Sequence, residues 1–165
     1  MFDCNHFQEH TSDCISLSIS PIQTNLFVSV GDSTAILWDI RTNRSVKQFK
    51  WHTADVNTVE FHPSGFSFAT GSDDCSCKLF DIRMNGELMS YSDPKQEEGI
   101  TSLSFSKSGT ILFVGSGTNL SEWHTLSGVK IREIESGTRF STVCVSPNGS
   151  ALAAGSWDHM VRIYS

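Results

Sequence analysis

No stretch of this 165-residue sequence is apolar for the roughly twenty residues a bilayer span needs, and the opening MFDCNHFQEH lacks a hydrophobic secretory core. Basic residues form no block; acidic and basic groups are interspersed around a formal charge of −6. A footprint for nucleic acid or for an anionic membrane surface is therefore not expected, and neither is direct membrane insertion. The five cysteines, Cys4, Cys14, Cys75, Cys77 and Cys144, are odd in number and sparse, unlike a secreted disulfide framework. Cys75 and Cys77 sit two apart on an expected strand, sharing a face, with no second Cys or His pair to complete a zinc set. Neither a metal site nor a cofactor is expected, and GSGT at 115–118 reads as a hairpin turn rather than a phosphate loop. Helical periodicity sustained over about ten residues is missing too.

What is present is a repeat. Trp38-Asp39, Phe80-Asp81, Trp123-His124 and Tyr164-Ser165 each close a short apolar piece, at spacings of 42, 43 and 41 residues. A Gly-rich turn precedes each aromatic, at 30–33, 71–74, 115–118 and 155–158. A further turn lies upstream of each: Pro21 to Asn25, Pro63-Ser64-Gly65, Lys107-Ser108-Gly109 and Pro147-Asn148-Gly149. Between the turns run strand-length pieces rich in Val, Ile, Phe and Thr, such as VNTVEF (56–61), SFATG (67–71), CKLFDI (77–82) and ELMSY (87–91). Four strands per period of about forty residues predicts an all-β chain of β-propeller blades, because one such sheet cannot bury its faces without neighbours. A β-sandwich has similar strand spacing but not this recurrence of turn, glycine and aromatic. The chain 1–165 is read as one propeller segment with repeats at about 10–50, 51–92, 93–135 and 136–165, and residues 2–8 as a leading outer strand.

His10 and His52 each precede a strand, in HTSDC and HTADV, and Asp32, Asp74 and Asp158 each stand six residues before the closing aromatic of their repeat. In blades of this WD type the turn Asp is expected to be a buried anchor taking a hydrogen bond from the His, with Ser or Thr and a Trp such as Trp38 extending the network. A His, Asp and Ser constellation invites a catalytic reading. Recurrence in successive repeats argues for a structural device instead, so no catalytic residue is assigned and no enzyme is expected.

The stretches GSDDCSCKLFDIR (71–83), ELMSYS (87–92), GITSLSFSKSG (99–109) and GSWDHMVRIYS (155–165) resemble the β subunit of heterotrimeric G proteins. The likeness runs from about His10 to Ser165 and corresponds to the C-terminal four of that family's seven WD-repeat blades. It implies a signal-transduction scaffold without chemistry, docking a GDP-bound α subunit or an effector through the narrow top of the propeller. The implied contact residues are Asp13, Ile15 (where the family usually has Met), Asp55, Asn57, Asp73 and Trp157. The γ subunit is not an expected partner, because the family's N-terminal pairing helix lies outside the likeness. The implied location is cytoplasmic, peripheral to the inner face of the plasma membrane through partners. The alternatives are a truncated or partial product, or a stand-alone WD-repeat adaptor for unrelated partners. Departures from the family pattern are His124 after Trp123, Gly117 in place of the turn Asp, and a short ESGTRFST (135–142) without Gly-His; they imply weakened networks in the last two repeats. Blades of a seven-fold wedge would have to tilt steeply to close as four. An open arc is therefore expected rather than a closed four-bladed ring, with apolar blade faces exposed and a tendency to self-associate.

Overall fold

A computed structural model describes residues 6–84 and 86–165, and every regular element in it is a strand. Four antiparallel sheets follow one another along the chain. The first holds β1 (Ser16–Ile19), β2 (Leu26–Gly31), β3 (Thr34–Asp39) and β4 (Arg44–Phe49). The second holds β5 (Val56–Phe61), β6 (Ser67–Ser72), β7 (Ser76–Asp81) and β8 (Glu87–Ser92). The third holds β9 (Ile100–Phe105), β10 (Ile111–Ser116), β11 (Asn119–His124) and β12 (Lys130–Glu135). The fourth has three strands, β13 (Phe140–Val145), β14 (Leu152–Ser156) and β15 (Val161–Tyr164). Strands pair in chain order, so each sheet is a meander. Its first turn ends, in three sheets, on a glycine in the left-handed region, at Gly65, Gly109 and Gly149 (φ 71°, 75° and 77°). An L side chain there would be strained, which is why the turns recur with Gly in that place.

The core lies between sheets rather than within one. Leu37, Ala35 and Phe49 of the first sheet pack on Val59, Phe61, Phe68 and Phe80 of the second. Leu79, Cys77 and Tyr91 of the second pack on Leu103, Phe105 and Trp123 of the third. Leu120 of the third meets Phe140, Val143 and Leu152 of the fourth. The strands β1, β5, β9 and β13 touch in series along an inner rim, and no comparable packing joins β13 or β15 back to β1 among the described residues. Four sheets with three interfaces make the expected open arc of propeller blades.

The leading outer strand expected at 2–8 falls partly outside the described residues, and residues 6–10 carry no strand pairing. Phe7 nevertheless stands edge-on to Phe27 (ring centroids 5.1 Å) and 5.5 Å from Trp38, on the face of the first sheet turned away from the second. Cys75 also differs from expectation. It sits in the β6–β7 turn at φ 64° instead of sharing a strand face with the buried Cys77. Burial pushes the Cys77 thiol up, away from the thiolate a metal would need.

A hydrogen bond repeats across each interface along the inner rim. Ser18 Oγ accepts from the Phe61 amide (3.0 Å), Glu60 Oε2 from the Phe105 amide (3.1 Å) and Ser104 Oγ from the Val145 amide (3.2 Å). Glu60 is the one ionisable member, and burial raises its pKa from 4.5 to about 7 against the bonds it accepts. The folded state therefore keeps a proton on Glu60 that the unfolded chain releases above pH 4.5, so stability falls as pH rises from 4.5 towards 7. Glu60→Gln keeps an acceptor for the Phe105 amide without the charge. Its melting temperature is expected to exceed that of the parent at pH 8 and to match it near pH 4.5. A variant no more stable than the parent at pH 8 contradicts the assignment.

Candidate functional site

Because every sheet is a meander, the starts of β1, β5, β9 and β13 share one end of the arc with the β2–β3, β6–β7, β10–β11 and β14–β15 turns. The residues implicated by the sequence fall at that end or just inside it, except Trp38, which lies near the opposite end of β3. The networks beneath it differ from sheet to sheet. In the second sheet His52 Nδ1 lies 2.8 Å from Asp74 Oδ2 and Nε2 lies 2.7 Å from Thr70 Oγ1. Burial lowers the His52 pKa although Asp74 opposes it, so the ring is neutral, donating to the carboxylate and accepting from Thr70. Burial would raise the Asp74 pKa, but Ser76, the Thr53 amide and His52 outweigh it and hold the carboxyl below its ordinary value.

In the first sheet the expected His10–Asp32 bond is not made. His10 Nε2 reaches Ser29 Oγ at 2.7 Å, and Trp38 Nε1 donates to the same hydroxyl at 2.8 Å. Asp32 instead takes the Thr11 hydroxyl (2.6 Å) and the Thr34 amide (2.9 Å), leaving His10 Nδ1 buried without a partner among the described residues. In the third sheet the Trp123 Nε1 bond to Ser121 Oγ (2.9 Å) survives without a His or Asp. A side chain at Gly117, itself at φ 50°, would meet the Glu98 carboxylate. In the fourth sheet Asp158 has no histidine but is not left weak: Arg162 forms an ion pair with it, and Thr138 Oγ1 donates at 3.1 Å. Arg162 and Ser156 hold its carboxyl well below the usual range. A shared element missed in the sequence is a threonine before the inner strand in the first, second and fourth sheets. Thr11, Thr53 and Thr138 all donate to the turn Asp, through hydroxyl, amide and hydroxyl respectively. The HT, HT and GT dipeptides at 10–11, 52–53 and 137–138 were its visible signal.

The six implied contact residues form the outer layer of this end. Asp13, Asp55 and Asp73 are exposed, and Ile15 is an exposed apolar side chain beside Asp13. Asn57 is half-buried and engaged internally: its amide donates to Asp73 Oδ1 (2.6 Å) and to the Ile100 carbonyl (3.1 Å), which sets the Asp73 carboxylate in place. The Asp73 amide in turn donates to the Asp55 carbonyl at 2.9 Å, tying two acidic loops together. Trp157 is 68% exposed, with the Arg139 guanidinium 5.1 Å from its ring centroid. Arg139 and its neighbour Glu98 (3.9 Å) belong to this surface and were not singled out from the sequence. They come close only because successive sheets pack. No group of three or more potential metal ligands occurs among the described residues, and no helix is long and apolar enough to cross a membrane. This end thus presents an exposed Trp and an exposed Ile among carboxylates on turns.

Comparison with known proteins agrees with this geometry. The model of the WD domain, G-beta repeat, matches four times in succession, at residues 3–39, 43–81, 87–124 and 129–165. The chain is 42% identical to a guanine nucleotide-binding protein subunit beta of Arabidopsis thaliana and 44% identical to one of Solanum tuberosum, in each case over 94% of this chain and 44% of the relative. It is 40% identical to the subunit beta-5b of Danio rerio over 94% of this chain and 51% of that protein. The chain thus spans about half the length of these relatives. The resemblance read from GSDDCSCKLFDIR and GITSLSFSKSG is borne out at this level of identity, and with four consecutive repeat matches laid over four meander sheets, the chain belongs to the WD-repeat family and is similar to G-protein β subunits.

Proposed function

We propose that this chain is a G-protein β-like scaffold that docks a GDP-bound α subunit or an effector through the loop end of the arc, acting at the inner face of the plasma membrane through its partners. The observation that carries the reading is the exposed Trp157, held by Arg139 in a surface otherwise lined by Asp13, Asp55 and Asp73. Aromatic anchors ringed by polar groups are where binding energy concentrates. The exposed carboxylates suit a basic, partly apolar segment, with Ile15 as a second apolar contact and Asn57 as the residue positioning Asp73. A γ subunit forms no part of the proposal.

The test is capture of the chain by an α subunit loaded with GDP and release on loading with a non-hydrolysable GTP analogue. Trp157→Ala is expected to weaken GDP-state binding by about 2 kcal/mol, close to thirty-fold, without changing the melting temperature. Equal capture in both nucleotide states contradicts α-subunit recognition and leaves an adaptor for other partners.

A further inference from the structure

A carboxylate stands on the inner rim where the other sheets carry a small side chain. Ser18, Glu60, Ser104 and Cys144 hold one register position on β1, β5, β9 and β13, paired with Val28, Ala69, Phe113 and Ala153. Ser18 and Ser104 meet an amide of the following sheet with a hydroxyl, and Glu60 does so with one carboxylate oxygen, Oε2. The bond between sheets therefore does not call for a charge. Glu60 brings a longer reach and a second oxygen, and it lines a hollow.

The hollow measures about 360 Å³ and opens at the end of the arc carrying the β1–β2, β5–β6, β9–β10 and β13–β14 turns, opposite Trp157. All four sheets contribute to its wall. Ile19, Pro63 and Phe105 give apolar surface, Ser18 and Ser104 hydroxyls, and Glu60 the one carboxylate. It lies on the axis side of the inner strands, which touch in series. Sheets added at either end of the arc would continue that rim and leave its hollow in place.

No cation answers this carboxylate among the described residues. Lys107 is the one cation in the wall, and its chain is laid over Gly149 of the fourth sheet, with Cβ 3.3 Å from where a side chain there would begin. His62 is committed elsewhere: its Nε2 lies 3.1 Å from the Gly109 carbonyl, and its Nδ1 accepts from the Ser64 amide. Cys144 offers only a thiol, turned to the Val145 carbonyl at 3.6 Å. Burial accordingly pushes the Glu60 carboxyl up to about 7, and the Phe105 amide and Ser104 hydroxyl offset only part of that rise.

We infer that this hollow binds a primary ammonium group on a short alkyl stem. An ammonium is a compact charge with three donors, matched to the remaining carboxylate oxygen and the hydroxyls of Ser18 and Ser104. Its stem would rest on Ile19, Pro63 and Phe105, as lysine stems rest on apolar surface. A guanidinium is a poorer match, because its fork needs two carboxylate oxygens and the Phe105 amide already holds one. A metal ion is a poorer match too, since no group of three potential metal ligands occurs among the described residues.

The probes are n-butylamine, the uncharged n-butanol of similar size, and N-acetyl-lysine methylamide, which carries the same group on a peptide backbone. Titrated into the 165-residue chain at pH 8, butylamine is expected to shift the Phe105 amide resonance saturably, and butanol is not. Binding selects the ionised carboxyl, so the half-saturating concentration is expected to rise about ten-fold from pH 8 to pH 6. That comparison tests the carboxylate in the parent, without any substitution. Glu60→Gln keeps an acceptor for the Phe105 amide and is expected to abolish the shift at unchanged circular dichroism. An equal response to the lysine probe supports the site and assigns its ligand to a protein side chain; a response to butylamine alone supports it and assigns a free amine. A parent that responds to neither, an equal response to butanol, or a half-saturation point unmoved between pH 8 and pH 6 overturns the inference. So does an equal shift at the Asp73 amide, the mark of a general salt effect. None of these outcomes bears on docking at Trp157, at the other end of the sheets.

Discussion

Phe68→Ala is expected to lower the unfolding free energy by about 3–5 kcal/mol, read as a shift of the urea midpoint at unchanged slope. Phe68 is fully buried on β6, with ring centroids 5.0 Å from Phe49, 6.0 Å from Phe61 and 5.4 Å from Phe80. Those rings come from the outer strand of the first sheet and from the inner and third strands of the second, so truncation opens a cavity at the seam of two blades. The rigid pleat on both sides leaves little room for collapse, which puts the cost near the upper part of the range. Phe66→Ala, two residues away in the preceding turn, is the control. Phe66 is exposed and rests under the Arg83 guanidinium at 4.9 Å, so its loss is expected to cost less than about 1 kcal/mol. Equal costs at the two positions contradict an inter-sheet core.

Asp74→Ala is expected to cost about 2–3 kcal/mol, and Asp32→Ala distinctly less. The two aspartates occupy the same turn position in the first and second repeats. Removing Asp74 strands the buried His52 Nδ1 together with the Thr53 amide and the Ser76 hydroxyl. Removing Asp32 strands no histidine, because His10 is held by Ser29, and the Thr11 hydroxyl it releases is solvent-exposed. The difference also carries a pH signature. Burial lowers the His52 pKa below 6.5, so the unfolded chain takes up a proton there before the folded one does, and the stability tied to neutral His52 declines as pH falls below 6.5. Thermal melts of the two variants between pH 5 and pH 8 check both statements. Equal destabilisation by Asp32→Ala and Asp74→Ala shows that the two networks are equivalent.

Much of this was legible in one dimension. The pieces read at 56–61, 67–71, 77–82 and 87–91 fall within a residue of β5 to β8, because alternating β-branched and aromatic residues between Gly-bearing turns can satisfy their backbone only as short antiparallel strands. The period of about forty residues required neighbouring sheets, since a lone four-stranded sheet leaves both faces wet. The end of the arc carrying Asp13, Asp55, Asp73 and Trp157 followed from the family likeness and from meander topology together. Less visible was how equivalent positions are used. Thr11, not His10, bonds Asp32; Arg162 replaces a histidine beside Asp158; and Asn57 is spent on Asp73. A hydrogen-bond partner is chosen by distances of a few tenths of an ångström, and a repeat pattern averages over these.

The sequence alone thus determined the strands, their turns and the number of sheets, because these depend on residues within one repeat. Only the tertiary structure decided that Glu60 is buried as an inter-sheet acceptor, that Arg139 lies under Trp157, and that Leu17, Ile19, Val161 and Ile163 are exposed. Each depends on the angle between successive sheets. That angle is set by how side chains of neighbouring repeats interlock across about 10 Å of core, and no single repeat encodes it.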